Sequence, residues 1–222
     1  MSGPEVRPGT PAGALRELLD GNDRFITGTR VHPHQDAERR AALVHEQRPF
    51  AVVFGCSDSR LAAEIIFDRG LGDLFMVRTA GHIIGPEVAA SIEYGVNVLG
   101  VPLLVVLGHD SCGAIRAAHD ALTGAATPTP GTRSIVDRIW PSFAEHTART
   151  ESASDSADLD LDAVSATHVR LTVEQLRRSG IEPAVLDGRC LVVGMTYRLA
   201  EGRVTVVATS EPVAVDDHHR GR

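Results

Sequence analysis

Two places in the chain carry side chains that hold soft metal ions. Cys56 follows the apolar run Ala51 to Gly55 and opens the polar stretch Cys56-Ser57-Asp58-Ser59-Arg60. Further on, His109-Asp110-Ser111-Cys112-Gly113 follows the apolar run Leu103 to Gly108. Two thiolates and one imidazole form a donor set suited to zinc. Structural zinc sites usually take four protein ligands, all Cys or His, whereas catalytic ones commonly take three and keep a position for water. The chain has 3 cysteines, and the third, Cys190, sits inside another apolar stretch. There it reads as a buried strand thiol. The ligand count therefore points to a catalytic centre with one zinc per chain, and Asp58 is the nearby group able to close it. Asp58 and Arg60 stand two apart in a turn, close enough to pair. On an ordinary surface such a pair contributes little.

Both apolar runs read as strands buried on both faces, as in a parallel sheet. Their carboxyl ends are where open α/β sheets place ligand sites. If the two strands are neighbours, Cys56, His109 and Cys112 converge. Between them, Asp73 to Thr79 reads as a strand, and Gly85-Pro86 starts a long helix to Gly100 with Val88, Ile92, Val96 and Leu99 as its core face. A short helix is expected over Ala62 to Asp68 and another over Gly113 to Thr123. Ser134 to His146 reads as a helix that Pro141 kinks or splits. Ala163 to Ser179 reads as an amphipathic helix stopped by Gly180. Cys190 to Thr196 and Val204 to Thr209 read as a terminal strand and hairpin. The alternation implies a three-layer α/β fold, with a mainly parallel central sheet flanked by helices and a C-terminal strand and hairpin.

At the amino end, Thr10-Pro11 supplies a cap and a first-turn proline for a helix that Gly28 ends. Its apolar stripe is Leu15, Leu18, Leu19 and Phe25 or Ile26. A second helix is expected over Asp36 to Gln47, so that residues from about 10 to 48 form a helical arm. His32 and His34 read as exposed loop histidines. The small, acidic stretch around 148–162 is expected to be a mobile loop within one domain spanning residues 1–222. The tail, Asp216 to Arg222, is expected to fray, with no metal role for His218 and His219.

The bulk properties set limits. At 222 residues and 43% hydrophobic the chain can bury one good core. A net charge of -7 argues against general affinity for nucleic acid or anionic membranes. No apolar run approaches the ~18 residues a membrane span requires. The first residues lack the apolar core of a secretory signal. Free thiols placed as metal ligands fit a reducing compartment, so a cytoplasmic location is expected. All 22 basic residues are arginine, a bias of composition without functional weight.

The segments CSDSR, RTAG and GHDSCG, within a region from roughly Ala12 to Thr209, resemble the β-class carbonic anhydrases, in their plant-type branch. The resemblance implies zinc on Cys56, His109 and Cys112, and reversible hydration of carbon dioxide to bicarbonate and a proton by zinc-bound hydroxide. Two thiolates cancel the formal charge of zinc, so such a site should acidify its water less and favour alkaline conditions. It further implies an Asp58–Arg60 dyad. In one arrangement Asp58 pairs with Arg60 and orients the hydroxide; in the other it ligates zinc and closes the site. Gln47, Phe75, Ala80, Tyr94 and Gly113 are implied at the substrate pocket. In the resembled family the Gln47 and Tyr94 positions lie at a dimer interface, and N-terminal helices reach over the partner, so a homodimer or a dimer of dimers is expected. RTAGH departs from the commoner RNVAN at Ala80 and His82, which leaves open the pocket width and whether His82 helps proton release. The same scaffold acting on carbon disulfide or carbonyl sulfide, or a non-catalytic zinc protein with Asp58 as permanent ligand, are the alternatives.

Overall fold

The computed structural model describes residues 7–150 and 159–221. Most of the stretch expected to be a mobile acidic loop, residues 151–158, lies outside them. Five strands form one sheet: β1 (Ala51–Cys56), β2 (Leu74–Thr79), β3 (Leu103–His109), β4 (Leu191–Arg198) and β5 (Arg203–Thr209), in the order β2-β1-β3-β4-β5. The first four run parallel and β5 pairs antiparallel with β4. Every residue of β1 and β3 is buried, which is why both read as unbroken apolar runs. Alternate residues feed two cores. Ala51, Val53, Leu103 and Val105 face one, and Val52, Phe54, Leu104 and Val106 face the other.

Among the described residues, eight α-helices flank the sheet: α1 (Pro11–Thr27), α2 (Ala37–Ala42), α3 (Ala63–Ile66), α4 (Pro86–Glu93), α5 (Gly113–Leu122), α6 (Pro130–Thr150), α7 (Leu161–Leu176) and α8 (Glu182–Leu186). The first core is closed by α1, α3, α5 and α6, the second by α4, α7 and α8. The helix α7 lies directly on the sheet. A Cβ at Gly108 would come within 2.5 Å of Val169, so only glycine permits that approach. The helix α6 starts earlier than expected and runs through Pro141 without splitting. The helix α8 carries no clear sequence signal.

The structure fixes three points near the two ends of the chain. First, the apolar stripe of α1 packs on its own chain: Leu15, Leu18 and Leu19 are buried in the first core with Phe50, Ile66 and Phe67. Buried Asn22 locks it there. Its Nδ2 donates to the carbonyls of Ile66 at 3.2 Å and Gly202 at 2.8 Å, and its Oδ1 accepts from the Val204 amide at 3.0 Å. Each buried leucine of the stripe stabilises this packing by roughly 2 kcal/mol. Secondly, α2 ends at Ala42, so Gln47 lies beyond it on an exposed loop. The helix buries no residue, and a short helix without a packed face is marginal in water. Thirdly, the tail is tied down. Arg220 bridges in parallel to Val206, and the Gly221 amide donates to the Val206 carbonyl at 2.9 Å. His34 also departs from its expectation: its Nδ1 lies 2.7 Å from Asp73 Oδ1.

Candidate metal centre

The sheet register brings the two halves of the motif together. Gly55 on β1 pairs with Leu107 on β3, so Cys56 and His109 end neighbouring strands on the same side. Cys112 then caps the amino end of α5. The ligand atoms of Cys56, His109 and Cys112 all lie within 4.8 Å of one another, and all three residues are buried.

The hydrogen bonds around this cluster fit a metal. His109 Nδ1 lies 2.8 Å from the carbonyl oxygen of Asp110, which can only accept. Nδ1 therefore carries the proton, and Nε2 presents a lone pair. That Nε2 is buried without a hydrogen-bond partner. An imidazole donating its other N–H to a backbone carbonyl is the usual support for a metal ligand. The Gly81 amide donates to the Cys56 sulfur at 3.3 Å. The Cys56 thiol is pushed down chiefly by hydrogen bonding to Cys112, with help from His109 and the Gly81 amide and against the effect of burial. Cys112 is pushed up by the same sharing and by burial. The two thiols are thus an unequal pair, Cys56 the readier to ionise, and a divalent cation would displace their protons. Orphan imidazole, paired thiols and soft donors together suit zinc.

Asp58 stands beside the cluster. Arg60 donates to it from Nε to Oδ1 at 2.9 Å, from Nη2 to Oδ2 at 2.6 Å and from its own amide to Oδ1 at 2.9 Å. These bonds hold the Asp58 carboxyl far below its ordinary value. Its Oδ2 lies 3.9 Å from His109 Nε2. The carboxylate is thus turned to Arg60.

Several supports escaped the sequence reading. Arg78 donates to the Cys56 carbonyl at 2.9 Å and to the Asp58 carbonyl at 2.6 Å, pinning the loop after β1. The quoted RTAG segment contains it, but an arginine on a strand reads as surface. Asp162 accepts from the Ser111 amide at 2.8 Å, and Asp110 from the Leu199 amide at 2.8 Å. They hold Ser111 at φ 50, a strained value for a side-chain-bearing residue beside a site. His168 Nδ1 pairs with Ser142 Oγ at 2.8 Å, and its Nε2 donates to the Gly81 carbonyl at 3.0 Å. Burial brings His168 down to about 4. His82, buried against His168 and Phe54, has no hydrogen-bond partner on either ring nitrogen.

The pocket residues divide. Gly113 follows Cys112, with open space where a Cβ would point, and Ala80 is exposed at the turn after β2. Phe75 and Tyr94 approach with ring centroids 6.1 Å apart. Gln47 and Tyr94 line a surface cavity of about 570 Å³ with Leu43, Val44 and Leu99. None of the three clustered ligand residues lines that cavity. Tyr94 begins a wider π turn, Tyr94–Val98, where a continuous helix to Gly100 was expected. Such turns recur at functional positions.

An α/β fold with a thiolate and imidazole cluster at the carboxyl edge of a parallel sheet defines a metalloenzyme scaffold. A family model described as carbonic anhydrase matches residues 51–204. The chain is 51% identical over 197 residues to a carbonic anhydrase of Mycolicibacterium smegmatis, covering 87% of this chain and 92% of that protein. It is 46% identical over 198 residues to carbonic anhydrase 2 of Mycobacterium tuberculosis, covering 88% and 92%. In structure it is similar to the β-carbonic anhydrase CcaA (TM-score 0.69, 22% identity, 86% of this chain and 94% of that one). It is also similar to a structure from Sordaria macrospora described among two tetrameric β-carbonic anhydrases (TM-score 0.67, 22% identity, 89% and 98%). The chain belongs to the β class of the carbonic anhydrase family, and it is an enzyme.

Proposed function

We propose that this chain hydrates carbon dioxide reversibly to bicarbonate and a proton, with one zinc held by Cys56, His109 and Cys112. The observation that carries the reading is the buried, unpartnered Nε2 of His109, its tautomer fixed by Asp110, within 4.8 Å of the two thiol sulfurs. Zinc, when bound, acidifies water and so supplies a nucleophile near neutral pH.

The chain's own residues do the rest. Asp58, held by Arg60, accepts a hydrogen bond from the attacking water and aims it at the substrate carbon. Engaged by Arg60, Asp58 stands in the arrangement that leaves a position for water, which supports a catalytic site over a purely structural one. The Gly81 amide and the amino end of α5 support the two sulfurs. Ala80 and Gly113, small residues flanking the cluster, leave room for a linear triatomic substrate.

Gln47 and Tyr94 present an amide and a phenol on a cleft away from their own chain's cluster. Val44 and Val98 lie 70% and 65% exposed close to that cleft in sequence. An apolar, exposed surface of this kind suits a second copy of the chain. We therefore read the enzyme as a homodimer or dimer of dimers in which Gln47 and Tyr94 complete the partner's pocket, with Phe75 backing Tyr94. No helix among the described residues is long and apolar enough to cross a membrane. The free thiols suit the cytoplasm.

The test is zinc content measured together with stopped-flow hydration of carbon dioxide. One zinc per chain with rapid hydration is expected. Hydration unaffected by complete zinc removal overturns the reading.

A further inference from the structure

A second group of ligand-type atoms converges where the C-terminal turn, Asp217–His219, meets α1. His218 Nε2 lies 3.3 Å from Asp23 Oδ2, and His219 Nε2 lies 3.3 Å from Asp23 Oδ1. The ligand atoms of all three residues fall within 4.8 Å of one another. Asp23 and the histidines stand at opposite ends of the chain, so only the fold brings them together.

His219 is 1% exposed. Its Nδ1 lies 3.1 Å from the carbonyl oxygen of Val204, an acceptor, so Nδ1 carries the proton. In the neutral ring, Nε2 carries a lone pair and stands 3.3 Å from Asp23 Oδ1, acceptor beside acceptor. Nε2 is buried and has no hydrogen-bond partner. A cation between the two groups removes the conflict. His109 shows the same pattern: Nδ1 on a backbone carbonyl and Nε2 unpartnered beside other ligand atoms. The spacing also fits, since two ligands bonded to a tetrahedral zinc at ~2.0–2.1 Å stand about 3.3 Å apart. Two imidazoles and a carboxylate are donors for zinc and its neighbours in the transition series rather than for calcium or magnesium. Asp23 and His218 are 42% and 51% exposed on their side chains, so an ion can enter from solvent and keep water as further ligands.

We propose that Asp23, His218 and His219 form a second divalent-cation site, of the zinc-binding kind, that fastens the C-terminal turn to α1. Asn22, next to Asp23, already joins α1 to Gly202 and Val204. Beyond the turn, the chain runs on along β5 through Arg220 and Gly221. The ion would join His219 Nε2 to the Asp23 carboxylate, which otherwise meets the turn through His218 Nε2 at 3.3 Å. The rival cation is a proton on His219 Nε2, giving an imidazolium–carboxylate pair.

The test counts metal. Holoprotein is dialysed against excess zinc sulfate and the bound zinc is measured by plasma mass spectrometry. Two zinc per chain are expected for wild type, and one for His218→Ala and for Asp23→Asn, both hydrating carbon dioxide at the wild-type rate. Cys112→Ser, lacking the first site, is expected to take up one. The thermal midpoint of wild type should rise with added zinc while that of His218→Ala stays fixed. His218 is half exposed, so that variant is expected to fold. Wild type saturating at one zinc per chain overturns the proposal in favour of the proton. Equal loading of wild type, His218→Ala and Asp23→Asn overturns it as well.

Discussion

Arg60 grips Asp58 through Nε at 2.9 Å and Nη2 at 2.6 Å, and the same carboxylate stands 3.9 Å from His109 Nε2. Asp58 therefore has two competing partners, the guanidinium and any cation on His109. Arg60→Ala should release the carboxylate onto the metal and lower activity at every pH. Asp58→Ala cannot close the site, but it loses the group that orients the attacking water. It should keep its zinc and slow by roughly 100-fold, the size of effect that misplaced reacting groups produce. X-ray absorption at acid and alkaline pH reads whether a carboxylate joins the ligand set. An unchanged ligand set in Arg60→Ala at both extremes would rule out this competition.

Cys112→Ser removes one of the two thiols of the ligand cluster. Isolated without added zinc, this variant should carry almost no metal and show no hydration above background. Cys190 is buried in the second core, and its thiol is pushed up to about 12 chiefly by burial. It makes no contact with the cluster, so Cys190→Ser should keep its zinc while losing some stability. Equal zinc in wild type and Cys112→Ser, measured as isolated, contradicts the ligand assignment.

The strands and the ligand cluster were legible because burial on both faces writes itself as an unbroken apolar run, and β1 and β3 each end in a change to polar chemistry. The cap and stop of α1 were legible too: Thr10 accepts from the Gly13 amide and Gly28 takes φ 72. What the stripe of α1 packs against was not, since amphipathicity states that a face is buried and says nothing of its partner. The full length of α2 was overread because helical propensity without a packed face does not sustain a helix. The outer supports were invisible for a related reason. Asp110, Asp162 and His168 look like surface residues until the fold turns them onto backbone amides and carbonyls. The union of Asp23 with His218 and His219 depends wholly on long-range topology.

His168 gives the protein a titration signature. Its folded value is about 4 against an ordinary 6.5, because burial disfavours the charged ring. A base with a depressed folded value contributes its full stability above the unfolded value. As pH falls from about 6.5 toward 4 the unfolded chain takes a proton that the folded one refuses, so stability drops through that window. The shift corresponds to about 3 kcal/mol. His82, also buried and held well below its ordinary value, acts in the same direction. His168→Gln can keep a donor to Gly81 and an acceptor for Ser142 while removing one titrating group. Denaturant unfolding at a series of pH values should show a shallower acid loss in the variant. Parallel profiles for the two proteins would place the acid sensitivity elsewhere.

The shared-pocket reading is tested by mixing rather than by truncation. Deleting residues 1–28 would strip Leu15, Leu18 and Leu19 from the chain's own core and unfold it, which says nothing about partners. Gln47, by contrast, is exposed and buries nothing, so Gln47→Ala should fold normally. If Gln47 serves the partner's cluster, Gln47→Ala and Cys112→Ser each disable both sites of a symmetric dimer. In a mixed dimer, the subunit that keeps Cys112 faces the subunit that keeps Gln47, and one complete site returns. Random reassociation makes half the dimers mixed, with one of two sites restored, so activity should recover to about a quarter of wild type. The measurement is hydration by equimolar, unfolded and refolded mixtures against each variant refolded alone. Recovery in the mixture, absent from either parent, requires a pocket built from two chains. A mixture no faster than the mean of its parents would assign Gln47 to its own chain.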